Sequence, residues 1–167
     1  FEAMPFPHDA RLAADGTIAL PNLPGLAKGK DAEAPTLAAL AKMKGFGITS
    51  SIFFPFDAPV DGASLEAPAD AKARVLLVNL GDPSRPLRLR LAARSRESLE
   101  LVVAAPAPGQ VLAPNAKYAA FVTREARAKD GGPLKAPAAL GRVLGAAPIT
   151  NDSALARAQT AMAPLVA

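Results

Sequence analysis

Between Leu112 and Tyr118 the chain reads LAPNAKY, an L-x-P-x-x-x-Y spacing. A β-sandwich uses this spacing to turn a corner into an inner strand. The Tyr ring enters the core while its hydroxyl bonds back to backbone just upstream, a tyrosine corner. Shortly afterwards Asp130-Gly131-Gly132 signals a tight hairpin turn, because Asp and Gly tolerate positive φ. Together these features constrain the fold to two packed antiparallel sheets. They name no reaction.

The chain length, 167 residues, makes one domain with an added arm or extension the expected size. Half of the residues are hydrophobic, but Ala is the commonest of them, so the large aliphatics and seven Phe must do most of the burying. Seventeen Pro and twelve Gly suit a loop-rich β protein better than a helical bundle. Without Cys neither a disulfide framework nor thiolate chemistry is available. No run approaches the roughly 20 apolar residues of a membrane span. The net charge of +4 is spread along the chain and favours solubility over a specific anionic partner.

Five strands are expected. Ser50–Asp57 (SSIFFPFD) contains Pro55, which demotes it to an edge strand or marks a bulge. Arg74–Leu80 (RVLLVNL) reads as a buried strand, with Val75, Leu77 and Asn79 on one face. After a turn at Gly81-Asp82-Pro83, Leu87, Leu89 and Leu91 alternate with Arg88 and Arg90, a period-2 strand with one wet face. Leu99–Ala105 and Lys117–Arg124 complete the set. Short, regular spacing with turn signals between argues for a sandwich rather than βαβ units.

Around these strands, residues 1–49 read as an extended arm plus a short helix lying on the folded body. The helix spans Pro35–Lys44, with Leu37, Leu40 and Met43 on one stripe and Gly45 and Gly47 as its stop. Thr17–Leu20 is a short strand candidate, and Leu23–Ala34 reads as loop. Residues 50–134 form the sandwich. Residues 135–167 form a helical extension, with helices over Ala136–Leu144 and Ser153–Val166. Asn151-Asp152-Ser153 supplies an N-cap for the second, and Leu155, Ala158, Met162 and Leu165 lie on or near one stripe.

Candidate chemistry is sparse. His8 is the single histidine, so a Ser-His-Asp triad would have to use it. It sits in a proline-rich arm and reads as packed or hydrogen-bonded there. The nearest string to a nucleophile elbow, Gly62-Ala63-Ser64-Leu65-Glu66, lacks the last Gly. One His without Cys cannot make a usual zinc set. Calcium would have to use Asp57 and Asp61, which read as turn residues. Gly45-Phe46-Gly47 is too short for a phosphate or dinucleotide loop. Arg85, Arg88, Arg90, Arg94 and Arg96 make the best case for nucleic acid, with Arg88 and Arg90 on one strand face. No aromatic interleaves with them, and Arg on a strand also guards against sheet aggregation. Glu97 and Glu100 would point to opposite faces, which does not suit a paired-carboxylate glycosidase. The expectation is no catalytic, cofactor-binding or metal-binding residue, and no nucleic acid.

Three blocks carry a resemblance, in order along nearly the whole chain: PFPHDARLAADGTIALP (Pro5–Pro21), LAALAKMKGFGITSSIFFPFDAPVDGASL (Leu37–Leu65) and PGQVLAPNAKYAAFVTREARAKDGGPL (Pro108–Leu134). They resemble the N-terminal, immunoglobulin-like domain that precedes the α/β-hydrolase domain in bacterial virulence-factor-type extracellular lipases. His8 stands where that family is expected to have Asn, and Met43-Lys44 stand where it more usually has Leu-Asp. The family's elbow and triad have no matching positions here, so no catalytic residue carries over.

The resemblance implies a mainly β fold: an Ig-like or fibronectin-like antiparallel β-sandwich with an extended N-terminal arm and short C-terminal helices. It implies a non-catalytic accessory domain of an exported lipase or esterase, partnered by an α/β-hydrolase domain of the same polypeptide. A chain that opens on Phe1 and stops inside an apolar helix fits a piece of a longer polypeptide that has lost a signal segment. The expected location is periplasmic, cell-surface or extracellular, including peripheral attachment to a membrane. The alternative is a self-standing surface adhesion or carbohydrate-binding module, which one Tyr and no Trp disfavour.

Overall fold

The computed structural model describes residues 4–18, 34–65, 73–96 and 99–166. Among the described residues there are six strands in two three-stranded antiparallel sheets, with a few short helices. The chain divides into two compact units: residues 48–137 hold both sheets, and residues 1–47 with 138–167 form the other.

In the first sheet the order is β1 (Ile52–Phe56), β5 (Leu99–Pro106), β4 (Leu89–Arg96). Pro55 therefore lies in an edge strand, opposite Leu101, where its missing N–H is tolerated. In the second sheet the order is β3 (Asp82–Leu87), β2 (Val75–Asn79), β6 (Tyr118–Val122). Register sorts the side chains. Ile52 and Phe54 oppose Ala104 and Val102, while Val75 and Leu77 oppose Val122 and Ala120. Buried residues of both sheets then form one hydrophobic cluster, with Val60, Leu65 and Ala126 from the connections.

β2 buries Val75 and Leu77 but leaves Leu76 and Val78 only half-buried. It is a one-faced strand rather than one buried on both sides. The strand expected over Leu87–Leu91 is replaced by two. Leu87 ends β3, opposite Leu77, and Leu89 begins β4, opposite Pro106. Arg88 is the whole connection between β3 and β4, and so between one sheet and the other at this point. Arg88 and Arg90 thus do not share a strand face.

Tyr118 makes the corner. Its hydroxyl accepts from Ala113 N–H at 2.9 Å, and its ring packs, with Leu112, against the cluster of the two sheets. The hairpin turn also forms. Gly131 adopts φ 82°, Asp130 Oδ1 accepts from Gly132 N–H at 2.8 Å, and Arg127 pairs with Pro133 across it.

The other unit brings the N-terminal residues and the C-terminal helices into one core. Met4, Val143, Ile149 and Ala158 are its buried members. α2 spans Ala138–Leu144 and α3 spans Ser153–Val166. On α3, Ala158 is fully buried and Leu155 and Met162 pack beside it, which is the expected stripe. Arg157 Nη2 donates to Leu12 C=O at 3.1 Å. Phe6 meets Phe46 edge-on at 5.5 Å. Gln159, whose role no sequence pattern announces, ties down the link between α2 and α3. Its amide donates to Gly145 and Ala147 C=O at 2.8 and 2.9 Å, and accepts from Ile149 N–H at 3.1 Å.

α1 spans Ala34–Leu40 and stops before the expected glycines. Tertiary pairing overrides the local pattern. Met43 C=O accepts from Ile18 N–H at 3.1 Å, and Thr17 pairs with Lys44, so Met43 leaves the helix and is 45% exposed. Gly45, at φ 68°, turns the chain so that its N–H reaches Gly16 C=O at 3.1 Å. Of the strand expected over Thr17–Leu20, Thr17 and Ile18 form isolated bridges. Its last two residues lie outside the described residues, as does the loop expected over Leu23–Ala34 except Ala34, which opens α1.

Asp152 is the N-cap of α3. Its Oδ1 accepts from Ala154 and Leu155 N–H, both at 3.0 Å. Asp152→Ala leaves those two donors to water. It is expected to cost about 1 kcal/mol, read as a lowered melting midpoint by circular dichroism.

Candidate functional site

His8 stands just before the short 3-10 turn Asp9–Arg11, and its Nδ1 accepts from Ala10 N–H at 3.1 Å. An accepting Nδ1 carries no proton, so the neutral ring holds its proton on Nε2. Nε2 is buried without a hydrogen-bond partner. Burial pushes the imidazole below its ordinary value; Asp9 opposes this and Arg11 adds to it. A proton on Nδ1 would also break the bond from Ala10. Neutral His8 therefore holds this turn together.

The sign of the resulting pH dependence follows from linkage. The unfolded chain takes up a proton near pH 6.5, whereas the folded chain resists until lower pH. Between those two values the unfolded state binds more protons, so stability rises with pH and levels off above about 6.5. Melting midpoints should therefore climb from mildly acidic to neutral pH, and His8→Asn, which keeps an acceptor for Ala10, should flatten that climb. Asp15, held down by the Thr17 hydroxyl and N–H, acts only in the more acid range.

Ser64 is occupied by backbone. Its hydroxyl donates to Asp61 C=O at 2.7 Å and accepts from Arg127 N–H at 3.0 Å. It lies in the 3-10 turn Ala63–Leu65, with no strand leading into it as an elbow would require. Arg74 completes this corner: its Nε donates to Ser64 C=O at 3.0 Å, and Nη1 meets Glu125 at 3.5 Å. Asp61 accepts from Ala63 N–H at 3.0 Å, the turn role its sequence context implies. No group of three or more His, Asp or Glu that could hold a metal occurs among the described residues.

The acid pair expected to diverge is half visible. Glu100 accepts from Ser95 Oγ at 2.6 Å across the β4–β5 ladder, and Glu97 lies outside the described residues. The arginines are spread out. Arg85 is on β3, Arg88 is the link, and Arg90 and Arg94 lie along β4, all exposed. Arg94 Nη1 donates to Ala93 C=O at 3.1 Å, occupying an acceptor of an edge strand, as a guard against strand pairing would.

His8 belongs to one unit, while Ser64, Asp57, Asp61 and the arginines belong to the other. No family model, curated protein or solved structure matches the chain. No helix among the described residues is long and apolar enough to cross a membrane.

Proposed function

We propose that this chain is the non-catalytic, immunoglobulin-like accessory domain of an exported bacterial lipase or esterase of the α/β-hydrolase type. The observation that carries the reading is the Tyr118 corner. A Tyr hydroxyl on the backbone N–H five residues upstream, at the entrance to a strand that packs on a second sheet, is the device by which Ig-like sandwiches fix this corner. Its sequence block is one of the three that resemble the lipase accessory domain. The other two contribute Phe6 and Phe46, which meet in the remaining unit. In this reading the chain supports or orients a hydrolase domain of the same polypeptide, and the chemistry belongs to that domain.

Sequencing the gene on both sides of this segment tests the reading. The expected result is a downstream G-x-S-x-G on a strand-to-helix turn, preceded at the other end by an export signal. A gene without that elbow overturns it.

A further inference from the structure

The connection 107–117 draws three parts of the two-sheet unit to one end. Ala107 N–H donates to Arg88 C=O at 3.0 Å, Leu112 N–H to Ile48 C=O at 3.1 Å, and Leu80 N–H to Lys117 C=O at 2.9 Å. Two kinds of side chain meet water there. Ile48, Leu80 and Val111 are 42%, 40% and 58% exposed. Arg85, Arg88 and Lys117 are exposed cations, and among the described residues none of them forms an ion pair. Arg85 lies in the part of β3 where the register with β2 jumps from Leu77↔Leu87 to Asn79↔Asp82.

The balance of charge differs along the unit: cations outnumber acids at this end, and the two are mixed at the other. Asp82 is the acid of this end, and its carboxylate accepts from Ser84 Oγ at 2.5 Å. The other described acids of the unit, Asp57, Asp61, Glu100, Glu125 and Asp130, lie where β1 and β6 finish and β5 starts, among the cations Arg74, Arg124, Arg127 and Lys129. Glu100 faces the last residue of β1, Glu125 pairs with Arg74, and Asp61 adjoins the Val60–Ala128 bridge.

Exposed aliphatics that share one end with cations free of ion pairs suit a surface that offers phosphates above hydrocarbon. We propose that this end docks on an anionic phospholipid bilayer. Arg85, Arg88 and Lys117 meet the headgroup phosphates, and Ile48, Leu80 and Val111 enter the boundary between headgroups and acyl chains. The exposed large side chains here are all aliphatic. They gain nothing from stacking on bases, which separates this surface from a single-strand nucleic-acid site. The inference uses no property of a hydrolase and stands apart from the functional reading above.

Flotation of the full chain with vesicles tests it. Binding is expected to mixed phosphatidylglycerol–phosphatidylcholine vesicles and not to phosphatidylcholine alone, and it should weaken with added salt. Each cation at an anionic surface contributes roughly fivefold in affinity, so R85E/R88E should lower binding by at least about tenfold. L80S/V111S should lower it by a similar factor, roughly tenfold, through lost apolar burial. The charge-matched control R124E/K129E, at the opposite end, should stay within about twofold of the parent chain. Circular dichroism confirms that each variant is folded. The proposal is overturned if the parent chain does not float with phosphatidylglycerol. It is also overturned if the control loses as much as R85E/R88E, since net charge alone then acts. Full binding by L80S/V111S, with heparin held as tightly as vesicles, would instead mark a site for soluble polyanions and equally overturn it.

Discussion

Leu77→Ala is expected to lower the unfolding free energy by about 3 kcal/mol, within the range of about 2–5 kcal/mol for a buried Leu. Leu77 is 2% exposed and sits mid-strand in β2, between Leu87 on one side and Ala120 on the other. Its side chain reaches the cluster shared with Ile52, Phe54, Val102 and Ala104 of the other sheet. Truncation removes apolar contact and leaves a cavity between elements that are held on both flanks by hydrogen bonds, so little collapse can fill it. Leu76→Ala supplies the comparison. That neighbour points to the opposite face, opposite Phe121, and is half-buried. Less area leaves water there, and the expected loss is about 1 kcal/mol. Urea denaturation of the two variants measures the difference. Equal losses would mean that the second sheet buries both faces alike.

Tyr118 separates two contributions within one residue. Tyr118→Phe keeps the ring against the cluster and removes the bond from Ala113 N–H, at an expected cost of about 1 kcal/mol. Tyr118→Ala removes the ring as well, and a loss of about 3–4 kcal/mol is expected, as for other large aromatic truncations. Thermal unfolding followed at two wavelengths would measure both. A Phe variant as damaged as the Ala variant would show that the hydroxyl, and not the ring, holds the corner.

Much of the two-sheet unit was legible from local pattern. Apolar runs bounded by Gly, Pro and Asp located β1, β2, β5 and β6 to within two residues, because each is short and closed by its own turn chemistry. The Tyr118 bond was legible for the same reason: both partners lie within six residues. β3 was hidden by Pro83 and Pro86, which a strand interior normally excludes. They are accommodated here because β3 is an edge strand with an irregular register. The passage between sheets at Arg88 was hidden more thoroughly. Leu87, Leu89 and Leu91 all pack on the cluster, so the period-2 pattern runs unbroken through a change of sheet. Alternation reports which side of the chain is buried, not which strand hydrogen-bonds to it.

The candidate site was legible mainly as an array of ordinary structural roles. Ser64 and Asp61 were readable as turn residues from their neighbours. The bond from Ser64 to Arg127, across 63 positions, was not readable, since no local signal links them. For the same reason the helical stripe on α3 was visible, while the core it shares with Met4 was not. A 3.6-residue period identifies a buried face and leaves its partner unnamed.

That shared core has a consequence for biosynthesis. The core joining Met4 to Ala158 is closed by residues that emerge from the ribosome after both sheets. At roughly 5–20 residues per second, Met4 waits on the order of ten seconds or more for α3, while both sheets, lying between, are already complete in sequence. The two-sheet unit can therefore assemble during translation, and the other unit only after it. In a pulse-labelled chain, protease resistance should appear first over residues 48–137 and reach the N-terminal segment only once α3 has emerged.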